Sequence, residues 1–345
     1  MGKKMFDYVI GNPPYQEDTE NKGDRPNPIY HLFMDATYQL ADKVELIHPA
    51  RFLFNAGQTP KSWNEKMLKD VHFKVLSYEQ RSEKLFPSTD IKGGVAISYH
   101  DADKDFGAIG VFTSFEELNS ITKKVNAISE NSIENLVSAR GVYRFSEKFF
   151  SDYPFATERL GKGTGNMVVS NAFTQIPEAF LEQEENDDTI YVKLLGRIKG
   201  KRVFRYLAKK YLLDNNYIDA WKVMLPEANG SGAIGEVLST PLIGAPLIGA
   251  TDTFISIGSF ENEVEADNTY KYIKTKFART MLGVKKITQH NPRATWKYVP
   301  LQDFTNHSDI DWSQSIHDID LQLYRKYGLD EKEIDFIETH VKEMA

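Results

Sequence analysis

The segment from Phe6 to Tyr15 reads FDYVIGNPPY and joins an apolar strand to residues that could act on an amine. The exocyclic amine of a nucleic-acid base is a poor nucleophile, because its lone pair is delocalised into the ring. The side-chain oxygen of Asn12 and the carbonyl of Pro13 could accept both amine hydrogens and so favour the pyramidal form. Neither Pro13 nor Pro14 has an N–H that could disturb these acceptors. Tyr15 offers a flat face on which a base turned out of the duplex could stack.

This motif resembles motif IV of the S-adenosylmethionine-dependent amino-methyltransferases, particularly the DNA N6-adenine methyltransferases. Further segments resemble that family, and the last two are similar to the C-terminal part of adenine-specific type II restriction–modification methylases: 27–36, 44–54, 76–101, 272–304 and 310–338. The resemblance implies methyl transfer from S-adenosylmethionine to a flipped adenine in double-stranded DNA. It also implies that the catalytic residues are Asn12, Pro13, Pro14 and Tyr15.

Several alternatives remain open from the sequence. The Asn-Pro-Pro-Tyr motif could be a chance turn after a strand, or the chain could be a catalytically silent DNA-binding and specificity module. The motif also occurs in enzymes that methylate RNA bases or glutamine side chains. Phe52 and Phe54 are candidates for a second face that stacks on the flipped base, since the family places an aromatic residue near there. Each of these two could equally be a buried residue at a strand end.

Strand and helix patterns alternate over the first third of the chain. Strand candidates lie at 5–11, 44–47, 73–78, 94–99 and 107–112, and helix candidates at 29–41 and 62–70. This alternation indicates a parallel, doubly wound sheet. After Thr113 the strand candidates become short and glycine-interrupted, a helix is predicted from Asp267 to Leu282, and two helical segments follow Asp303. We therefore predict an α/β fold with a partial Rossmann-like methyltransferase sheet, the catalytic target-base half, in residues 1–115. Residues 116–345 are predicted to form an α+β target-recognition domain with a helical C-terminal tail.

The charge is segregated along the chain. There are 42 basic and 49 acidic residues, a formal net charge of −7, yet the windows 193–211 and 271–297 contain basic residues and no acidic ones. Aromatic residues are interleaved with the basic ones, which favours a surface that grips phosphates and stacks on bases. Two solvated helix faces are the alternative. The predicted DNA-binding residues are Lys199, Lys201, Arg202, Arg205, Lys285, Lys286 and Arg293.

A glycine-rich loop that cradles the methionine part of the cofactor is expected upstream of Asn-Pro-Pro-Tyr in such enzymes, but only about ten residues precede the motif. Two glycine clusters, Gly161–Gly165 and Gly230–Gly235, are better interpreted as loops of the recognition domain than as cofactor loops. We therefore expect S-adenosylmethionine as cofactor with an incomplete binding site in this chain. A missing N-terminal cofactor-binding or nuclease portion, or a second subunit, would complete it.

Other classes of site are disfavoured by composition. The chain has no cysteine, which excludes disulfides and cysteine-ligated metals, and its eight histidines lack the spacing of metal ligands, so no metal is predicted. No apolar run approaches the length of about 18 residues that a membrane-spanning helix needs. The sequence thus predicts a cytoplasmic protein without a membrane partner.

Overall fold

The computed structural model describes residues 4–17, 26–87, 91, 93–161, 163–230, 232–286 and 288–344. Most of the loop predicted between Glu17 and Pro28 lies outside these ranges, as do Lys162 and Ser231 of the two glycine clusters. Two compact units make up the chain, one from Met1 to Asn119 and the other from Ser120 to Ala345.

The first unit contains one four-stranded sheet. Its strands are β1 (Phe6–Gly11), β2 (Ala41–Pro49), β3 (Phe73–Glu79) and β4 (Val95–Asp101), and their spatial order is β1-β2-β4-β3. β1 runs parallel to β2, whereas β4 runs antiparallel to both β2 and β3. The sheet is therefore mixed, and the prediction of a purely parallel sheet is wrong.

The link between β3 and β4 explains the reversed strand. A parallel return needs a crossover, usually through a helix. In the described part of this link the helical structure is a single 3₁₀ turn, Ser82–Lys84. β4 therefore returns directly beside β3. The strand predicted at 107–112 is also wrong, because this segment forms irregular structure.

Two helices cover one face of this sheet, α1 (Tyr30–Leu40) and α2 (Lys61–Lys69). Alternate residues of β2, including Val44 and Leu46, are buried and belong to the same core as Met34 of α1 and Met67 of α2. This alternation with a period of two is what a strand with one covered face requires. Helix α3 (Glu116–Ile128) then crosses from the first unit into the second.

The second unit contains two three-stranded sheets. Their strands are β5 (Tyr191–Ile198), β6 (Lys201–Ala208), β7 (Trp221–Pro226), β8 (Leu242–Gly244), β9 (Ile248–Ala250) and β10 (Phe254–Phe260). One sheet has the order β10-β7-β8 and the other β6-β5-β9. Residues 241–249 read PLIGAPLIG and contribute β8 to one sheet and the start of β9 to the other. Each of these strands begins shortly after a proline, which cannot donate to a ladder.

Helices fill the rest of the second unit. They are α4 (Glu147–Asp152), α5 (Ala156–Leu160), α6 (Ala172–Gln175), α7 (Glu263–Lys274), α8 (Lys276–Gly283), α9 (Ile316–Lys326) and α10 (Glu331–His340). The single helix predicted from Asp267 to Leu282 is divided at Thr275, whose ψ of 149° is extended and whose side chain accepts a bond from Ala278 N at the start of α8. Among the described residues, no helix is long and apolar enough to cross a membrane.

A buried carboxylate joins two of these helices. Asp320 of α9 accepts hydrogen bonds from the backbone N–H groups of Lys276 and Phe277, at 2.9 and 2.8 Å, at the start of α8. Burial raises the pKa of Asp320 to about 6, while the two backbone donors act in the opposite direction. The first N–H groups of a helix have no partner within it, so this side chain satisfies donors that would otherwise be buried and unpaired.

Replacing Asp320 with Ala should lower the free energy of unfolding by about 1–3 kcal/mol, because two buried donors lose their acceptor. Urea denaturation measures this loss. Asp309→Ala is the matched control, since it removes an exposed carboxylate of the same unit that pairs with Lys326 at 2.8 Å. The control should change stability by less than about 1 kcal/mol. Equal effects of the two variants would contradict the capping role of Asp320.

Candidate active site

The Asn-Pro-Pro-Tyr segment lies directly after the last residue of β1. The strand ends at Gly11, and the prolines at 13 and 14 cannot donate hydrogen bonds that would extend it. Beyond them the chain is fixed again, because Ile29 N donates to the Tyr15 carbonyl at 3.1 Å, just before α1. The segment is therefore held at both ends, between a sheet strand and a helix.

The side chains of this segment differ in exposure. Asn12 is exposed, whereas Tyr15 is half-buried and its hydroxyl oxygen is inaccessible to solvent. Burial raises the pKa of the Tyr15 hydroxyl, and the neighbouring Asn12 side chain acts in the opposite direction. Within the described residues the hydroxyl has no hydrogen bond of ordinary geometry, so its contact with Asn12 is a loose one. Asn12 thus keeps an amide that is open to solvent beside a ring that is partly covered.

A cavity of about 370 Å³ opens beside Tyr15. This volume lies within the range of about 300–1,000 Å³ that is typical of small-molecule sites. Its lining residues come from the end of β1, the start of α1, the end of β2 and the segments that follow: Tyr15, Gln16, Pro26, Pro28, Tyr30, Pro49, Arg51, Gly57, Gln58 and Ile91. Because β1 and β2 are parallel, both carboxyl ends lie at one edge of the sheet, where open α/β sheets bind their ligands.

Aromatic rings form the inner wall of this cavity. Tyr30 is buried, and its ring lies parallel to that of His48, with 6.1 Å between the ring centroids. Burial raises the pKa of Tyr30 to about 12, against the opposing effects of Thr59 and Arg51. The phenol is therefore neutral at physiological pH. The lining thus includes two uncharged phenols, Tyr15 and Tyr30, together with the cation of Arg51.

His48 is a buried, neutral histidine at the end of β2. Its Nε2 lies 2.7 Å from Ser98 Oγ and its Nδ1 3.1 Å from the Pro49 carbonyl oxygen. Since a carbonyl can only accept, Nδ1 carries the proton and Nε2 accepts from the serine. Burial lowers the pKa of His48 to about 4, although the bond to Pro49 opposes this shift. The ring is therefore uncharged at neutral pH, and its Nδ1 proton is engaged by the Pro49 carbonyl.

The structure separates the two predicted stacking residues. Phe52 is fully buried in the core of the first unit, with its ring centroid 5.0 Å from that of Trp63 and 5.3 Å from that of His48. No face of this ring is open to a base, so the stacking role predicted for Phe52 is wrong. Phe54 is 39% exposed and meets the rings of Tyr78 and Phe112 edge-on. Phe54 stays a prediction.

Sequence reasoning missed several cavity residues, including Tyr30, Arg51 and Gln58. Tyr30 lies within the helix predicted at 29–41, and nothing else in the sequence marked it as a site residue. The one signal for Arg51 was its place two residues after Pro49, where an apolar strand leaves the sheet on the same side as Asn12.

The predicted DNA-binding residues fall into two groups in the second unit. In the part of the chain that the structure describes, Lys199, Lys201 and Arg202 have no carboxylate partner, and all three lie at the β5–β6 hairpin. Arg205 of β6 instead pairs with Glu182 at 2.7 Å. In the first basic window, the cations at the hairpin tip therefore lack carboxylate partners among the described residues, whereas Arg205 further along the strand has one.

The second basic window is largely structural. Lys286 is buried, donates to the Asn229 carbonyl at 2.8 Å and pairs with Glu236, so the DNA-binding role predicted for it is wrong. Arg293 donates to Glu134 O and Asn135 Oδ1. Within this window the structure leaves Lys285 as an exposed cation. Its basic residues mainly hold the fold together.

The described residues of the two glycine clusters differ from a loop that joins a strand to a helix. In the second cluster, Gly232 N donates to the Glu236 carboxylate at 3.0 Å, which occupies an amide that a phosphate would need. The chain continues there in turns rather than in a helix. The first cluster follows the five-residue helix α5 and borders a cavity of about 190 Å³. The described residues contain no group of three acidic or histidine side chains that could hold a metal ion.

Maintaining the neutral state of His48 should make stability depend on pH. Its folded pKa of about 4 is below the ordinary value of 6.5, so its contribution is fully present above pH 6.5 and is lost as the pH falls towards 4. Between pH 7 and pH 5 we expect a loss of about 1–2 kcal/mol from this residue. Urea denaturation of wild type and His48→Asn at both pH values isolates it, since the variant lacks the titrating ring. An identical pH response of the two proteins would contradict the assignment.

Comparisons with known proteins bear on this site. Residues 1–86 match the family model described as Eco57I restriction-modification methylase. An uncharacterized adenine-specific methylase of Mycoplasma pneumoniae is 30% identical over 97 residues, which is 27% of this chain and 23% of that protein. The chain thus spans about a quarter of the length of this curated relative.

Two solved structures of restriction enzymes resemble the chain weakly. The type IIG restriction endonuclease BpuSI aligns with a TM-score of 0.35 and 10% identity, over 92% of this chain and 48% of that one. The type IIL restriction-modification enzyme MmeI, in complex with DNA, aligns with a TM-score of 0.35 and 9% identity, over 97% and 56%. The resemblance predicted from Asn-Pro-Pro-Tyr is confirmed over the N-terminal segment, where residues 1–86 are similar to the Eco57I restriction-modification methylase model.

Proposed function

We propose that this chain is the target-base and DNA-recognition part of a DNA N6-adenine methyltransferase of a restriction–modification system. The observation that carries the proposal is the position of Asn12–Tyr15 directly after β1, with Tyr15 of this motif lining the cavity of about 370 Å³. The methylase match over residues 1–86 includes the motif and most of the cavity lining. In this proposal the first unit receives the base and the second unit recognises DNA.

The chemistry assigned to the motif is hydrogen bonding to an amine. Asn12 Oδ1 and the Pro13 carbonyl accept the two hydrogens of the adenine N6 group, which localises the nitrogen lone pair and leaves it free to attack. The exposure of Asn12 makes its amide accessible to such a group. No titrating base is needed for this step, because the rate gain comes from positioning and fixed dipoles.

The cavity beside the motif is assigned to the flipped base. The half-buried ring of Tyr15 lies at the lining, and stacking on an aromatic ring contributes about 1–3 kcal/mol per base. Arg51 at the same lining is suited to the phosphate or to an edge of the nucleotide. Because Tyr30 stays protonated, it adds no negative charge that would repel the phosphate.

S-adenosylmethionine is the methyl donor that the methylase family implies. The glycine clusters of this chain do not fit it, since the amide of Gly232 is already bound to Glu236 and the first cluster follows a helix of only one turn. We infer that the cofactor is held by residues other than these.

The edge of the sheet at β1 supports a second structural half. β1 is an edge strand, and its alternate residues Phe6, Tyr8 and Ile10 are 50%, 42% and 75% exposed on one face. Strands of parallel sheets are normally covered on both faces, so this apolar face and open edge resemble an interior surface. We propose that a cofactor-binding half, in the same polypeptide or in a second one, covers β1 here.

The apolar face gives a prediction for the chain alone. Replacing Phe6 and Ile10 with Ser should reduce the binding of a hydrophobic dye and the self-association seen in sedimentation. The free energy of unfolding should change by less than about 1 kcal/mol, because both side chains are already exposed.

Calorimetric titration of the wild-type chain with S-adenosylmethionine should show no binding. Tight cofactor binding and full-rate methylation by this chain would contradict the need for a second half.

The assigned role of Asn12 gives the test of function. Asn12→Ala should lower methyl transfer to DNA adenine by about 100-fold or more, as when one preorganised hydrogen-bonding group is removed. DNA affinity should stay within twofold of wild type, since the side chain acts on the base amine. Labelled methyl incorporation measures the first effect, with the chain alone or joined to a cofactor-binding half of an adenine methylase.

Asn171→Ala, an exposed asparagine of the second unit, is the matched control and should retain activity. DNA binding without any methyl transfer in either setting would favour a silent specificity module. Transfer to RNA or to glutamine side chains in preference to DNA would replace the proposed substrate. Parallel loss of activity and DNA affinity in Asn12→Ala would remove its catalytic assignment.

A further inference from the structure

The hairpin that joins β5 to β6 ends in an unusual tip, RIKGKR, from Arg197 to Arg202. Ile198 pairs with Lys201, so the loop contains only Lys199 and Gly200. Both loop residues have positive φ, 50° and 77°. This is the pattern of a type I′ turn, whose tight geometry fixes the direction of the two strands.

A lysine is an unfavourable choice for the first position of this turn. Residues other than glycine lose about 1–2 kcal/mol in the left-handed conformation, and Asn and Asp tolerate it best because their short side chains bond locally. Lys199 therefore costs stability at a position where Asn would stabilise the fold. Strained positions of this kind are concentrated where a side chain serves a ligand.

The two arginines of the tip are a second unfavourable feature. Arg197 and Arg202 lie directly opposite each other on neighbouring strands, where like charges destabilise the pair. Both guanidinium groups lie over the buried ring of Phe254, with their carbons 5.9 and 5.6 Å from its centroid. Burial, and then the charge of Arg197, lowers the pKa of Arg202. The pair is therefore held together against its own repulsion.

The acceptor that would relieve this repulsion is absent from the neighbourhood of the pair. Within the described ranges, neither arginine contacts a carboxylate or donates a side-chain hydrogen bond. Basic residues further along the same window do have partners, such as Arg205 with Glu182 and Lys209 with Asp219, both at 2.7 Å. The protein carries an excess of carboxylates, so the lack of one at the tip is a local property of this surface.

We propose that the hairpin tip is a basic finger that binds the phosphodiester backbone of duplex DNA, with Arg197 and Arg202 clamping one phosphate group. A phosphate between two guanidinium groups accepts several charge-assisted hydrogen bonds and removes their mutual repulsion. The ring of Phe254 lies beneath both guanidinium groups and keeps the two cations on the same face of the hairpin. The major groove of duplex DNA is about 12 Å wide and admits a two-stranded ribbon such as this hairpin. Lys199 and Lys201 would then contact the phosphates on either side of the clamped one. This inference rests on the proposed function, because it takes DNA as the substrate.

The test compares four proteins by fluorescence anisotropy with a labelled DNA duplex over a series of salt concentrations. Arg197→Ala/Arg202→Ala should weaken binding at least tenfold, and the slope of log affinity against log salt should fall by about 0.9 for each phosphate that the variant no longer neutralises. Lys199→Asn should also weaken binding and lower the slope, yet melt at the same or a higher temperature than wild type. That combination separates a binding role from a folding role.

The charge-matched control is Lys148→Ala/Arg159→Ala, which removes two cations that pair with Asp152 and Glu178 in the same unit. The control should keep its DNA affinity within about twofold of wild type and its salt slope within about 0.3 of the wild-type slope. The finger would be overturned if both tip variants bound DNA as wild type does, or if the control lost as much affinity as they do. In either case, DNA binding by wild type would leave the proposed function standing. No duplex binding by wild type would overturn both, as would tighter binding to vesicles of anionic lipid than to duplex. Finger-dependent binding without adenine methylation, when the chain is joined to a cofactor-binding half of an adenine methylase, would overturn the proposed function alone.

Discussion

The parallel pairing of β1 with β2 is the interaction on which the candidate active site depends. It aligns Gly11 with Leu46, so both strands leave the sheet at the same edge, where Tyr15 and Pro49 line one cavity. The chain leaves the ladder after Gly11 because prolines cannot donate to it, and the neutral ring of His48 is buried beside that of Tyr30. A charged His48 would carry a desolvation penalty at this position, so the neutral wall and the strand register belong to one arrangement.

The elements that carry the site were predictable because their signals are local. The apolar run before Asn12, the helical spacing after Pro28 and the strand before Pro49 all correspond to observed elements. The direction of β4 was not predictable, since parallel and antiparallel strands share the same period of two. The burial of Phe52 was equally invisible, because an aromatic residue after a strand looks the same whether it faces a ligand or the Trp63 ring.

The absence of acidic residues along a window did not predict whether its basic residues are paired in the fold. An acid-free window says nothing about carboxylates that arrive from elsewhere in the sequence. Lys276 pairs with Glu338 and Lys286 with Glu236, so part of the charge of the second window is neutralised by residues from other segments of the chain. Over the described ranges, the cations of the hairpin tip have no such carboxylate partners, since the two-residue loop holds them on a narrow two-stranded ribbon.

Two surfaces of this chain break local rules, and both are surfaces assigned to a partner. The apolar residues of β1 are exposed where a covered strand would bury them, and the arginines of the hairpin face each other where opposite charges would stabilise the fold. Most other buried polar groups, such as Asp320 and Lys222, have backbone partners instead. A chain selected for stability alone would remove both departures cheaply, with a polar residue at Ile10 and an asparagine at Lys199. Their cost becomes intelligible if the first surface is covered by protein and the second by phosphate.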